Sequence, residues 1–485
     1  MSAITSCNNG SIDPYVPTSD QPWDISRIKH VYRRLGFGAS REVMLQAINI
    51  DPEEFIDNLF GQAQTLPNTA APEWGNWSFN DYTDYNEQNS DFNGVWYRQA
   101  AKDIRDNNLK GRLTFFWLNH FVTQIESYNH APYVYQYWDI LQTHSLGNFK
   151  SFVSEIGLNP AMLLFLNGFE NTNQDPNENY ARELYELFTL GENNGYTQQD
   201  IEETSRALTG YNHWDDFGAE IRFEETTFDN SPKIIFSQEG NWGYDDVINI
   251  LFEEKATLIA NYICTKLYTF FVSPDINDNI INEMATTFIA QNWEITPVLK
   301  QLFKSDHFFN EDAIGMVIKS PYDTMMTFIN EVNFEVNESE EDYFNFIVYI
   351  GGMLGQDIFQ PIDVAGWQRD QDWINSSTLT GRWIGMEYMS WKFWDTSQEQ
   401  FRTFAKELTN NSSDPRVITE TIVNYFTSKP LYTISNYDIA ESVFRWEVPE
   451  NYYTDGIWNL DSDSAPFQVI LLMQHIFRIP EFQLK

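Results

Sequence analysis

One segment, residues 177–191, constrains the fold more than any other. Placed on a helix at 100° per residue, Tyr180, Ala181, Leu184, Leu187 and Phe188 form one apolar face. Glu178, Asn179, Arg182, Glu183 and Glu186 form the opposite face. Arg182 lies four residues from both Glu178 and Glu186, so it can bridge two acids. Gly191 then suits the C-cap. A helix with one apolar stripe must lie against another layer, and the neighbouring sequence offers more helices for that layer.

The same period recurs along the chain. Residues 26–35 read as a helix closed by Gly36 and Gly38. Asp51, Pro52, Glu53 and Glu54 form a helix start: Asp caps, Pro takes the first turn and the acids suit the dipole. Residues 111–122 are mostly apolar and read as a buried helix, followed by 133–143 and 149–156. Thr197 with Asp200 three residues on starts a helix over 198–208. Helices continue within 245–292 and over 297–303, 322–332, 344–354 and 376–389, with four short ones in 398–482. Two regions break the period. Residues 66–93, rich in Asn, Asp, Pro and Tyr, read as a long loop carrying Trp74, Trp77 and Phe79, either a lid or contact surface or a disordered insertion. Residues 221–236 alternate, turn at Asp229-Asn230-Ser231-Pro232, and predict one β-hairpin within 219–238. The expected fold is mainly α: a globular, bundle-like array of many helices with one small hairpin. Its expected organisation is an extension over 1–25, a helical domain over 26–390 and a helical C-terminal part over 391–485 packed on that domain.

Charge narrows the function. The formal net charge is −40, from 70 acids against 30 bases. Such a chain repels phosphate backbones and anionic membrane surfaces, so no nucleic-acid partner is expected. The excess acid suits solubility or salt tolerance, and the alternative is attraction of cations or a basic partner. Aromatic residues make up 16%, serving core, sugar or protein contacts. Of the two cysteines, Cys264 lies in an apolar run and reads as a buried thiol, while Cys7 is either an ordinary thiol or a lipid-anchor residue. No apolar stretch is long enough for a transmembrane segment. The chain as given has no signal peptide, consistent with a mature form.

Three groups of residues stand out for chemistry. Asn119 and His120 sit in a mostly apolar helix, where burying an amide and an imidazole demands partners. The bland account is a core His bonded to a backbone carbonyl. His144 lies at a helix end, where a cationic imidazole suits the dipole. The carboxylates of 177–191 form either a solvated ion-pair ladder or a cleft. A cleft would open three chemistries: acid and base work, binding of a hard divalent cation, or glycoside cleavage. The cofactor is thus left open between none and a divalent cation. The chain has no Gly-x-Ser-x-Gly, P-loop, His-Glu-x-x-His or dinucleotide fingerprint, which disfavours serine hydrolases, nucleotide-dependent enzymes and zincins.

Taken together, the motifs resemble the DUF1800 family. The 177–191 stretch carries the resemblance. So do His30-Val31-Tyr32-Arg33-Arg34-Leu35-Gly36-Phe37-Gly38, Asn119-His120-Phe121, His144-Ser145-Leu146-Gly147-Asn148-Phe149, and the ordered run from Tyr196-Thr197 through Ala207-Leu208-Thr209-Gly210. Phe359-Gln360-Pro361, Val364-Ala365-Gly366-Trp367 and Trp373-Ile374-Asn375 extend it, so that residues 26–390 are covered. The resemblance implies a bacterial, exported protein, often encoded beside an uncharacterised family related to sulfatases, which is the protein partner it suggests. It also implies that Asn119, His120, His144, Asn177, Glu178, Asn179, Arg182, Glu183 and Glu186 share one polar site. Two departures weigh against a His-rich metal site. The family commonly has a second His where this chain has Leu118, and His-Asp where this chain has Phe228-Asp229, with Lys233 following.

The expected function is a non-catalytic, extracytoplasmic envelope or cell-surface assembly protein, located in the periplasm, on the surface or outside the cell. The alternative is an extracytoplasmic hydrolase of polysaccharide or another envelope polymer. In it Glu183 or Glu186 acts as base, His120 or His144 shuttles the proton and Arg182 holds an anionic group.

Overall fold

The computed structural model describes Cys7, residues 9–212 and residues 221–485; positions 219–220 of the expected hairpin, and 1–6 and 8 of the expected extension, lie outside the described residues. Among the described residues the chain is mainly helical, and its two small sheets have two strands each. One cluster of buried apolar side chains runs from Cys7 to Phe482.

Local chemistry sets most helix ends. Asp24 accepts from the Arg27 amide to start Ile25–Leu35, and Asp51 accepts from Glu53 and Glu54 to start Pro52–Thr65. Thr197 and Asp200 cap each other's backbone at Gln198–Ala207. The long loop is shorter than the composition suggests, because Asp84 caps a helix over Tyr85–Asp106. Its rings face inward: Trp74 stacks on Phe92 at 5.0 Å, and Phe79 on His130 at 4.4 Å. Trp74 is thereby buried, while Phe79 stays partly exposed.

Strand pairing differs from the expected hairpin. Arg222–Phe223 pairs with Tyr211–Asn212, and Lys233–Ile235 with Gln238–Gly240, both antiparallel. The Asp229–Pro232 turn exists, but Arg206 and Lys233 hold it: Arg206 Nε donates to Asp229 Oδ2 at 2.8 Å, and Lys233 Nζ donates to the Asp229 carbonyl. The hairpin that does form turns at Phe236 and Ser237, both at positive φ (47° and 70°). Two-residue hairpin turns need positive φ but usually take Asn or Gly there, so Phe-Ser gives no turn signal in the sequence.

The boundary expected at 390/391 falls inside the continuous helix Ser376–Thr396. Phe393, fully buried, packs on Phe328 and Phe334, while Trp394 meets Phe401 and Phe467, so these rings join the two parts. The tail holds five helices, not four: Glu399–Thr409, Pro415–Phe426, Ile434–Phe444, Glu450–Thr454 and Ala465–Ile476.

The interior inverts the charge of the chain. Among the described residues ten Lys and Arg side chains are buried against three carboxylates, Asp103, Asp323 and Glu331. Buried charge must be paired or hydrogen-bonded. Arg33 forms a two-pronged pair with Glu331 at 2.6 and 2.8 Å. Arg112 and Lys485 share Asp323 at 2.5 and 2.6 Å. Arg27 reaches the exposed carboxylate of Glu311 at 2.7 Å, while Lys29 donates to the carbonyls of Asn424, Tyr425 and Thr427, and Arg34 to that of Ala313.

Candidate functional site

The signature helix begins as the sequence implies. Asn177 accepts from the Asn179 amide at 2.9 Å and donates its own amide to Asn171. Arg182 bridges Glu178 at 2.8 Å and Glu186 at 3.4 Å, and Gln198 joins both Arg182 and Glu178. The Arg182 side chain keeps 36% of its exposure, so this is a surface ladder. Glu183 is half-buried. Burial raises its carboxyl pKa, the neighbouring Glu186 charge raises it further, and Arg182 opposes them.

After Glu183 the winding changes. Asn179–Glu183 is α-helical, but Leu184–Thr189 is a π-helix, with the Leu190 amide bonding back to the Tyr185 carbonyl five residues earlier. The wider turn rotates the apolar face. Tyr185 becomes fully buried and bonds Thr204 at 2.5 Å, while Leu187, expected in the core, is only partly buried.

The carbonyls at the end of this helix are taken by side chains from elsewhere. Tyr262 donates to Glu186 and Leu187, Lys266 to Leu187 at 3.1 Å, and His120 to Phe188 at 3.1 Å. His120 lies just past the end of the helix Asn108–Leu118, not inside a helix as expected. Because a carbonyl only accepts, the proton sits on Nε2, and Nδ1 accepts from Lys266 at 3.2 Å. Burial, then the Lys266 charge, push the His120 pKa well down against the Phe188 bond. The bland account of a core His on a backbone carbonyl is the geometry found, with a lysine added. Asn119 accepts from the Trp367 amide at 2.6 Å, beside Gly366. A Cβ at Gly366 would lie 2.3 Å from Asn119 Oδ1, and its φ is +95°, so the Gly366-Trp367 motif needs glycine there.

Asn119 and His120 open onto a cavity of about 180 Å³. Phe116, Phe270, Trp367 and Trp373 supply apolar walls, and three cations line it: Lys485, which is paired with Asp323, and Lys266 and Arg369. Burial, then Arg369, push the Lys266 pKa well below its usual range. Arg369 keeps an exposed surface, yet protein crowds its other sides enough for burial to lower its pKa. The two carboxylates of the lining have other partners: Asp323 is held by Arg112 and Lys485, and Asp370 by the backbone amides of Gln371 and Ile318.

The nine expected site residues therefore form several groups. Asn119 and His120 reach the cavity; Glu178, Arg182 and Glu186 form the ladder with Glu183 beside it; Asn177 and Asn179 make the helix start. His144 pairs with Glu155 at 2.5 Å and stacks on Phe152. Among the described residues no group of three or more His, Cys, Asp or Glu side chains is placed to hold a metal ion. Lys266 and Arg369 join the site from outside the motifs that mark it in the sequence. The available signal was a lone cation in the apolar run 258–272.

A family profile described as "Protein of unknown function (DUF1800)" matches residues 30–484, nearly the whole chain. The chain belongs to the DUF1800 family. The DUF1800 match extends through the C-terminal helices that the motifs alone left uncovered. No curated protein and no solved structure matches this DUF1800 chain.

Proposed function

We propose that the chain is a non-catalytic, extracytoplasmic protein of the cell envelope or surface that holds a small organic anion in the cavity beside His120. The observation that carries this is the pair Lys266 and Arg369, which face one aromatic-walled space while, among the described residues, neither bonds a carboxylate. Lys266 has used two of its three donors, on Leu187 and His120, and the third is available to a ligand. Two cations lining one space place an excess of positive charge there, which a bound anion would balance. The volume equals roughly six water molecules at ~30 Å³ each, which suits a ligand the size of a substituted benzoate. The non-catalytic part rests on proton traffic: both ring nitrogens of His120 are engaged, and Glu178 and Glu186 are tied to Arg182. The extracytoplasmic location, and an envelope partner such as the sulfatase-related protein, rest on the family resemblance.

Calorimetric titration of the full chain with benzoate, benzenesulfonate and the neutral control benzyl alcohol tests the reading. Saturable binding of an anion but not the alcohol is expected, at least tenfold weaker in Arg369→Gln with an unchanged melting temperature. No saturable binding of either anion overturns it.

Glu183 favours a second reading, hydrolysis of an envelope polymer, because a carboxyl with a raised pKa beside a second acid is a general-acid arrangement. Turnover on a panel of glycans and esters that is lost in Glu183→Gln would select it.

A further inference from the structure

With no lining residue in common with the cavity beside His120, the helices Arg41–Ala47 and Pro52–Thr65, with the segments around Tyr32, Asn108 and Asn333, enclose an open groove of about 920 Å³. That volume is within the ~300–1,000 Å³ range of small-molecule sites. Its lining is unusual in kind. Gln46, Asn58, Gln62, Asn108 and Asn333 all present side-chain amides to it. All five are exposed, and none makes a side-chain hydrogen bond to any described residue. Asn108 and Asn333 stand at positive φ, 46° and 50°, at helix ends that turn their amides outward.

The fixed charges at the groove are already neutralised. Asp57 is held by Lys300 and Lys304 at 2.9 and 2.8 Å, and Arg105 by Asp106 at 2.5 Å. What remains is a set of neutral groups, each with both donors and an acceptor. Tyr32, partly buried with its ring against Phe55, adds a flat apolar wall. Hydroxyl groups that both donate and accept, on a ring with an apolar face, are the chemistry that matches this lining.

We propose that this groove is a binding site for a neutral oligosaccharide. It stands apart from the cavity of Lys266 and Arg369 and does not depend on an anion binding there. Gly61 supplies a clean probe of it. It lines the groove from within Pro52–Thr65, and a Cβ there meets nothing within 4 Å, so a large side chain fills the groove without displacing the core.

The experiment is affinity electrophoresis of the full chain in native gels containing hydroxyethyl cellulose, dextran or soluble starch, all neutral glucans. Retardation by at least one is expected. It should weaken at least fivefold in Asn58→Ala combined with Gln62→Ala and in Gly61→Phe, and persist in Arg369→Gln. Circular dichroism melting checks that the groove variants fold. Absence of retardation in all three gels, or retardation that survives both groove variants, overturns the proposal.

Discussion

His120 donates its Nε2 proton to the carbonyl of Phe188 at 3.1 Å, joining the turn after Asn108–Leu118 to the end of the signature helix 68 residues later. Two motifs that are separate in sequence are thereby one structural unit, and Lys266 completes it by bonding both His120 and Leu187.

His120→Phe should keep the ring volume but strip the donor from the Phe188 carbonyl and the acceptor from Lys266. An unsatisfied buried polar group costs about 1–3 kcal/mol, so the urea midpoint should fall accordingly. Amide exchange should quicken over residues 184–191 before it quickens elsewhere. Uniform quickening across the chain would show that the bond does not anchor that segment.

Two arginines in ion pairs should differ sharply. Arg33 and Glu331 each retain only 1% side-chain exposure, so Arg33→Met strands a buried carboxylate and should cost about 3–5 kcal/mol. Arg182→Met breaks two bonds of the exposed signature ladder and should cost no more than ~1 kcal/mol. Chemical denaturation of both variants gives the comparison, and equal losses would contradict the surface assignment of the ladder.

Acid should destabilise the chain through its buried histidines. Burial lowers the pKa of His30, His120 and His130, the last to about 4 against ~6.5 unfolded. Between those values the unfolded chain binds more protons, so stability falls as pH drops through 6.5, by up to ~1.4 kcal/mol per pH unit for each histidine. His130→Phe, which preserves the stack on Phe79, should flatten the fall in urea midpoint between pH 6.5 and 4.5. An unchanged slope would remove His130 from the account.

Anion affinity should itself depend on pH. Lys266 is pushed toward its neutral form by burial and by Arg369. A bound anion favours the ammonium, so binding takes up a proton and weakens as pH rises. Calorimetry in two buffers of different ionisation enthalpy should register that uptake in the wild type and lose it in Lys266→Met. Binding without proton uptake would mean that Arg369 alone holds the ligand.

Much of the helical framework is legible locally. Asp51-Pro52 and Thr197 with Asp200 mark helix starts because a side chain satisfies a nearby amide, a relationship confined to a few residues. The hairpin departs from the expected pairing because its turn uses Phe236 and Ser237, and polar residues around Asp84 hide the start of the helix at Tyr85. In the candidate site, Asn119, His120 and the Arg182 ladder were visible from spacing. The π-helical winding was not, since the same residues satisfy an α-helical pattern up to Gly191.

The sequence by itself determined a mainly α fold, the family, the spacing that lets Arg182 reach Glu178 and Glu186, and a strongly acidic chain, because each follows from residue type and short-range spacing. Only the tertiary structure decided that the nine polar residues divide, that cations gather inside an acidic protein, and that Lys266 and Arg369 share a cavity. Those facts depend on which distant carbonyls and carboxylates reach each charge, as Phe188 reaches His120 and Asp323 reaches both Arg112 and Lys485. The energy of a buried charge is set by those partners, and periodicity carries no record of them.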